Sequence, residues 1–382
     1  MVDRFGVVGA GTMGVGIAQV AAMAGSDVVV FDMNPQTLQK ASVDLLATLN
    51  KLAAKEKISN EDAVAIFGRI HFSQSLGAMK ECELVLEAIV ENLDVKKTLF
   101  RELEAIVGDN TILATNTSSL SITAIAQSCK NSERVIGIHF FNPAPIMQLV
   151  EIIPASQTHD VIIQKVKKAI ENWGKIVVLA KDSPGFVVNK IARPYYSEAI
   201  RMLDEGIGSC ASIDHAMTFI GGFKMGPFTL MDLIGHDVNY AVTESVWKGF
   251  YYDTRYAPSA TQKRMVEAGY LGKKSKKGFY TYENGAKLET ELEADEQSDY
   301  VYKRILYMLI NEAADTVFKH ICTEEDADLA VRFGVNYPKG LLAWAEEIGY
   351  DEIVKFLDLL YNRYHEERYR VSPYLRDRTS LY

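Results

Sequence analysis

The turn Gly9-Ala10-Gly11-Thr12-Met13-Gly14 constrains this chain more than any other feature. An apolar strand over residues 5–8 runs into it, and a helical pattern leaves it from residue 12 to about 25. A second strand over residues 28–31 ends at Asp32. Each glycine of a GxGxxG turn has its own physical role. The first allows a tight turn, the second lets backbone approach a pyrophosphate closely, and the third lets the helix pack on the sheet. The helix amino end adds unpaired N–H groups and a positive dipole. A carboxylate at the next strand end is placed to hold a ribose 2′-hydroxyl and repels a 2′-phosphate. Asp32 therefore favours NAD, with Gly9, Gly11, Thr12, Met13 and Gly14 as its pyrophosphate cradle; a turn or helix-cap role before Pro35 is the structural alternative for Asp32.

The alternation continues. Apolar runs of strand length lie at residues 84–89, 111–115, 135–140, 149–153 and 176–179, with helices expected at about 94–106, from 121, and over 158–173. This rhythm predicts an α/β Rossmann-type domain with a mostly parallel sheet. Glu91, Asn116, Ser118 and His139 each follow such a run, so they can gather at the strands' carboxyl ends, where ligands of these sheets bind.

Alcohol oxidation by hydride transfer needs an acceptor for the hydroxyl proton, and histidine serves best near neutral pH. His139 closes one apolar run, and Glu151 sits inside the next. A carboxylate there is costly without a partner, and His139 is the natural one. On periodicity alone, a hydrogen-bonded structural histidine remains the commoner outcome.

Several segments together resemble the L-3-hydroxyacyl-CoA dehydrogenases, including the 3-hydroxybutyryl-CoA dehydrogenases. These are the glycine turn, Glu87-Ala88-Ile89-Val90-Glu91-Asn92, Asn116-Thr117-Ser118-Ser119-Leu120, His139-Phe140-Phe141-Asn142-Pro143-Ala144-Pro145, and Asp182-Ser183-Pro184-Gly185-Phe186-Val187-Val188-Asn189. The resemblance implies NAD-dependent, reversible oxidation of short (S)-3-hydroxyacyl-CoA thioesters. It implies that His139 is the general base, Glu151 its carboxylate partner, Ser118 the hydrogen-bond donor to the 3-oxygen, and Asn189 the amide beside the reacting carbons. Glu91 and Lys96 match nicotinamide-side contacts, and Asn116 and Asn142 line the site. Thr48 and Lys55 match the helix that meets the CoA nucleotide, although Lys51 and Lys57 are equally placed by composition. Ser183 and Gln148 depart from the family's usual threonine and lysine. A related sugar-acid dehydrogenase, resembling the lens lambda-crystallin branch, and an NAD-binding scaffold without turnover are the alternatives.

The second half reads as helices, over 186–206, 212–220, 227–234 and 238–250, closed by the Gly-rich segment 272–282. About a hundred residues then repeat that helical domain at a constant offset of 114. Glu198-Ala199 aligns with Glu312-Ala313, Asp214 with Asp328, Gly226 with Gly340, and Asp237 with Asp351. A polar linker over 283–299 joins the copies. Asn189 maps onto Lys303, so the second copy has no reactive residue. The expected domains are 1–183, dinucleotide-binding; 184–283, helical; and 295–382, a second, all-α copy. The second copy is expected to pack on the first within one chain, as an internal pseudo-dimer, with a homodimer as the alternative.

Composition sets the outer bounds. The 382 residues carry a formal charge of −9, with 48% hydrophobic and 24% charged residues, a globular balance that disfavours general affinity for nucleic acid or anionic membranes. Four scattered cysteines form no CxxC pair and no metal-ligand cluster, and buried free thiols in a cytoplasmic protein are expected. No apolar run reaches membrane-spanning length.

Overall fold

The glycine turn works because the strand before it is fully interior: Phe5, Val7 and Val8 are buried, and Gly9 turns the chain at φ +108°. The computed structural model describes residues 2–282 and 296–380. It divides into two compact units, Met1–Asp182 and Ser183–Tyr382.

The first unit is one eight-stranded sheet with helices on both faces. Its strands are β1 (Arg4–Val8), β2 (Asp27–Phe31), β3 (Ile70–Ser73), β4 (Leu84–Glu87), β5 (Ile112–Thr115), β6 (Val135–Phe140), β7 (Leu149–Pro154) and β8 (Ile176–Leu179). The order is β3-β2-β1-β4-β5-β6-β7-β8. The helices are α1 (Thr12–Met23), α2 (Pro35–Ala54), α3 (Asn60–Gly68), α4 (Leu93–Ile106), α5 (Ile122–Ala126) and α6 (Asp160–Asn172). Local chemistry sets their starts. Asn34 accepts from the amides of Gln36 and Thr37, with Pro35 at the first turn of α2, and Asn92 accepts from Asp94 and Val95 at α4. Strand side chains such as Phe5, Val28, Leu86, Ile138 and Val150 form the core with Ile17, Ala21 and Trp173.

All neighbouring strands pair in parallel except β6 and β7, which are antiparallel. The reason is length: residues 141–148 are too few for a parallel crossover, which takes about a dozen or more. The sequence does not announce strand β3. Its four residues, Ile-His-Phe-Ser, carry too little apolar pattern to mark an edge strand. The run expected to be strand through Ile89 leaves the sheet after Glu87.

The second unit repeats itself, with the first two helices of the first copy answered by one continuous helix in the second. The first copy contains α7 (Val188–Ile191), α8 (Arg193–Asp204), α9 (Cys210–His215), α10 (Pro227–Ile234), α11 (His236–Gly249) and α12 (Ala260–Glu267). The second contains α13 (Glu296–Phe318), α14 (Glu324–Gly334), α15 (Leu341–Ile348), α16 (Tyr350–Tyr364) and α17 (Pro373–Arg376). Asp214 accepts the amides of Phe228 and Thr229 at the start of α10, and Asp328 accepts those of Leu342 and Ala343 at the start of α15. The constant offset does not run ungapped to the end. It shortens by one residue where the 3-10 turns Thr254–Tyr256 and Glu367–Tyr369 correspond. Helix α13 packs along α7 and α8, and Arg304 of α13 reaches Glu198 on α8 and Glu205 just beyond it.

One expected helix is two. Residues 186–206 break at Ala192, because Pro194 has no N–H to bond the carbonyl of residue 190. The second copy carries Met308 at that place, and α13 runs through unbroken. Of the expected linker, residues 283–295 lie outside the described residues, and 296–299 begin α13. The cysteines are free, with Cys82 and Cys129 buried and Cys210 and Cys322 half-buried, so the expectation of buried thiols holds for two of the four. Among the described residues, no helix is long and apolar enough to cross a membrane.

Candidate active site

Register brings the candidate residues of the first unit to one edge. Phe31, Val8, Glu87, Thr115 and Gly137 lie in one row across β2, β1, β4, β5 and β6. The residues after each strand therefore overhang the same side: Asp32, the glycine turn, Glu91, Asn116 to Ser118, and His139.

At the turn, a Cβ on Gly14 would sit 1.9 Å from the Gly9 carbonyl oxygen, so that glycine is needed for α1 to approach β1. A Cβ on Gly11 would meet nothing within 4 Å. The space before Gly11 is open, and α1 begins there with no side-chain cap, leaving the first amides of the helix, those of Thr12 and Met13 among them, without intrahelical acceptors. Asp32 accepts from the amide of Ala10 at 3.0 Å and from that of Asn34 at 2.9 Å. It ties the turn as well as standing at the β2 end. A cavity of about 770 Å³ lies over this region, lined by Gly9, Gly11, Asp32, Met33, Ile89 and Val90 among others. It opens at the switch point between β1 and β4, where dinucleotides bind. These residues fit NAD.

A second cavity, of about 630 Å³, is lined by Gly11, Thr12, Lys40, Thr48, Asn142 and Pro143 among others. Thr48 belongs to it, and its hydroxyl also donates to the Asp44 carbonyl at 2.8 Å. Lys55 does not: it caps the carboxyl end of α2, just outside the helix in which it was expected. The lysine that does line this cavity is Lys40. Sequence does not single it out, because Lys40 and Lys51 lie on α2 and Lys55 and Lys57 just beyond it, and composition does not rank them.

Behind the edge runs a chain of charge. The Lys96 ammonium, 1% exposed, donates to Glu87 at 2.5 Å and pairs with Glu91 at 3.5 Å. Glu87, fully buried, also accepts from the Ile89 amide and the Thr115 hydroxyl. Glu91 accepts from the Thr117 hydroxyl at 2.6 Å, the Ser118 amide at 3.1 Å and the Ser119 hydroxyl at 3.0 Å. Burial alone would raise the Glu91 carboxyl. The Thr117 hydroxyl, Lys96 and the other donors outweigh it and hold the group below its ordinary range. Sequence reasoning finds Glu91, Lys96 and Ser118 but misses Glu87 and Thr117. A carboxylate inside an apolar run is the available signal for Glu87, the same one that draws attention to Glu151.

His139 and Glu151 are direct cross-strand partners in the antiparallel β6–β7 pair. His139 Nδ1 lies 2.7 Å from Glu151 Oε2, with His139 nearly buried and Glu151 fully so. The Asn116 side chain accepts from the Phe140 amide at 2.8 Å, joining the β5 loop to the end of β6. Phe141 packs on the imidazole at 4.5 Å between ring centroids. The following loop, which carries Asn142, is pinned by Lys175, whose ammonium donates to the carbonyls of Ala144 and Met147. Burial lowers the Lys175 pKa. Sequence does not single out Lys175, whose role depends on the path of a loop.

Asn189 belongs to the second unit. It is half-exposed on α7, and its carbonyl accepts from Arg193 Nε at 2.8 Å.

Comparisons with known proteins agree with this architecture. The model of the 3-hydroxyacyl-CoA dehydrogenase NAD-binding domain matches residues 4–183, and that of the 3-hydroxyacyl-CoA dehydrogenase C-terminal domain matches twice, over 185–282 and 300–381. The 3-hydroxyadipyl-CoA dehydrogenase of Escherichia coli K12 is 36% identical over 465 residues, covering 100% of this chain and 98% of that protein. A probable 3-hydroxybutyryl-CoA dehydrogenase of Deinococcus radiodurans is 44% identical over 279 residues, covering 73% of this chain and 100% of its own length. Among solved structures, a 3-hydroxybutyryl-CoA dehydrogenase from Escherichia coli K12 superposes with a TM-score of 0.95 at 35% identity, over 99% of this chain and 98% of its own. The (S)-3-hydroxybutyryl-CoA dehydrogenase of Ralstonia eutropha gives 0.72 at 40% identity, over 74% of this chain and 100% of its own.

Proposed function

The chain belongs to the 3-hydroxyacyl-CoA dehydrogenase family, and on that premise we propose that it oxidises short (S)-3-hydroxyacyl-CoA thioesters to 3-ketoacyl-CoA, reversibly and with NAD. The observation that carries the reading is the buried His139–Glu151 pair at the same sheet edge as the glycine turn. By accepting from Nδ1, Glu151 fixes the tautomer in which Nε2 is the basic nitrogen and stabilises the imidazolium once it forms. His139 removes the proton of the 3-hydroxyl, and NAD, when bound, supplies the hydride acceptor. Ser118 donates to the 3-oxygen, and its loop is held by Glu91. Asn189 offers its amide to the acyl-CoA, a neutral donor that leaves the base undisturbed. Glu91, Lys96, Asn116 and Asn142 shape the nicotinamide side. Thr48 lies toward the CoA nucleotide, with Lys40 as the lysine lining the same cavity.

The reading divides the chain into a dinucleotide-binding domain over 1–183 and helical domains over 184–283 and 295–382. In it the protein is cytoplasmic, and the second helical domain takes the place of a partner subunit, so that one chain is a complete enzyme.

NADH oxidation with acetoacetyl-CoA, longer 3-ketoacyl-CoAs and 3-ketoadipyl-CoA tests this, the last because a relative spanning the whole chain is named for 3-hydroxyadipyl-CoA. Turnover with at least one of them is expected, and His139→Gln lowers it by about 100-fold or more while NADH binding persists. NADH binding without turnover on any thioester would refute the proposal.

A further inference from the structure

The two helical copies grip each other through two buried ionic locks that mirror one another. In the first, the Lys190 ammonium, wholly buried, donates to the Glu312 carboxylate, to Asp315 at 3.2 Å and to the Thr316 hydroxyl at 2.8 Å, all on α13. Arg255 stands 3.5 Å from Glu312, and the Tyr256 hydroxyl donates to it at 2.6 Å. In the second, Arg304 donates to Glu198 at 3.0 Å and to Glu205 at 2.7 Å, Tyr369 donates to Glu198 at 3.1 Å, and Arg368 lies 3.9 Å from it. Lys190 and Arg304 are equivalent positions of the repeat, as are Glu198 and Glu312. Arg255 matches Arg368, and Tyr256 matches Tyr369, one residue closer in register. Each copy's cation therefore meets the other's carboxylate, as in a two-fold interface.

The locks differ in what stands beside the cation. Next to Lys190 is Asn189. Next to Arg304 is Lys303, half-exposed and paired with Asp299 at 3.1 Å. The backbones differ too. Lys190 and Asn189 lie on α7, four residues long and cut off from α8 at Ala192. One turn of helix has no stability of its own, so its setting follows from what holds its side chains, and Lys190 is held from α13. We infer that Glu312 is a positioning residue for the dehydrogenase reaction: with Asp315 and Thr316 it fixes α7 through Lys190, so that the copy without a reactive residue sets the Asn189 of the other. The inference rests on the reading of Asn189 as a substrate contact.

The mirror lock supplies a matched control. Glu312→Gln and Glu198→Gln each remove one buried carboxylate charge from equivalent places in the full chain. Turnover of NADH with acetoacetyl-CoA and thermal melting are measured for both. Comparable losses of Tm are expected. Glu312→Gln lowers kcat by about ten-fold or more with the KM for NADH unchanged, whereas Glu198→Gln keeps kcat within about two-fold, since small misplacements cost rate steeply only at the reacting centre. Equal effects on kcat, or an unchanged kcat in Glu312→Gln, would overturn the inference. If Glu312→Gln does not fold, Thr316→Val removes a single acceptor; it should lower kcat by about two- to five-fold, and an unaltered kcat there also overturns it. Asn189→Ala separates the two ideas. Full activity in that variant removes the reading of Asn189, while impaired Asn189→Ala beside unimpaired Glu312→Gln removes the inference alone.

Discussion

At the scale of single residues, two glycines of one turn do different work. Gly14 is needed by the fold, because a Cβ there would collide with the Gly9 carbonyl. Gly11 faces open space with φ −73°, a backbone any residue adopts. Gly14→Ala is therefore expected to destabilise the protein by about 1–3 kcal/mol or more. Gly11→Ala leaves the melting temperature nearly unchanged but puts a methyl group where a pyrophosphate must approach, so its Kd for NADH rises by about ten-fold or more. Fluorescence titration of NADH beside thermal melts distinguishes them; a Gly11→Ala variant binding NADH normally would contradict this account of the turn. The residue scale is also where sequence is most informative. The glycine spacing, Asp32 and the carboxylate in the β7 run are plain to read. Thr117, Lys40 and Lys175 are not, because their roles lie in partners brought close by the sheet.

At the scale of elements, sequence shows the sheet and misjudges its joints. Apolar runs announce seven of the eight strands, but β3 is short and half polar. The direction of β7 is hidden in a loop length, and that direction is what sets Glu151 opposite His139. A parallel β7 would have reached neither the same register nor the same pair. The break between α7 and α8 is written openly in Pro194, yet the apolar period continues across it and reads as one helix. Pro194→Ala restores the missing N–H and lets the two helices join, as α13 does. Its stability should change by no more than about 1 kcal/mol, while kcat with acetoacetyl-CoA should fall if Asn189 contacts the substrate as proposed, because Asn189 moves. A variant with unaltered kcat would show that the break serves no purpose in the site.

At the scale of the whole chain, the helical copies are equivalent in fold but not interchangeable in charge. Arg201 occupies in the first copy the place that Asp315 holds in the second, and Glu205 the place of Lys319. Two first copies facing each other would put Arg201 beside Lys190, and two second copies would put Lys319 before Arg304. Each copy therefore fits the other better than itself. Asp315→Arg in the full chain recreates the first mismatch. It should lower the Tm by about 10 °C or more, from about 3–5 kcal/mol for an uncompensated buried charge in a unit of this size. Asp315→Asn costs less; equal losses from the two would remove the argument from charge. The acid limb follows from the same pair. Burial pushes the Asp315 carboxyl up, but Lys190 and Arg255 outweigh it, and its folded pKa lies below the ordinary value. Its stabilisation is thus complete above about pH 4 and is lost as pH falls through the lower, folded value. Melts of wild type and Asp315→Asn should converge as pH drops below about 4, and parallel curves would contradict the assignment.

The packing of α13 against α7 and α8 is a contact within one polymer. Its equilibrium carries no concentration in it. However few copies a cell holds, and however far a sample is diluted, the docking of these helices depends on temperature and solvent alone.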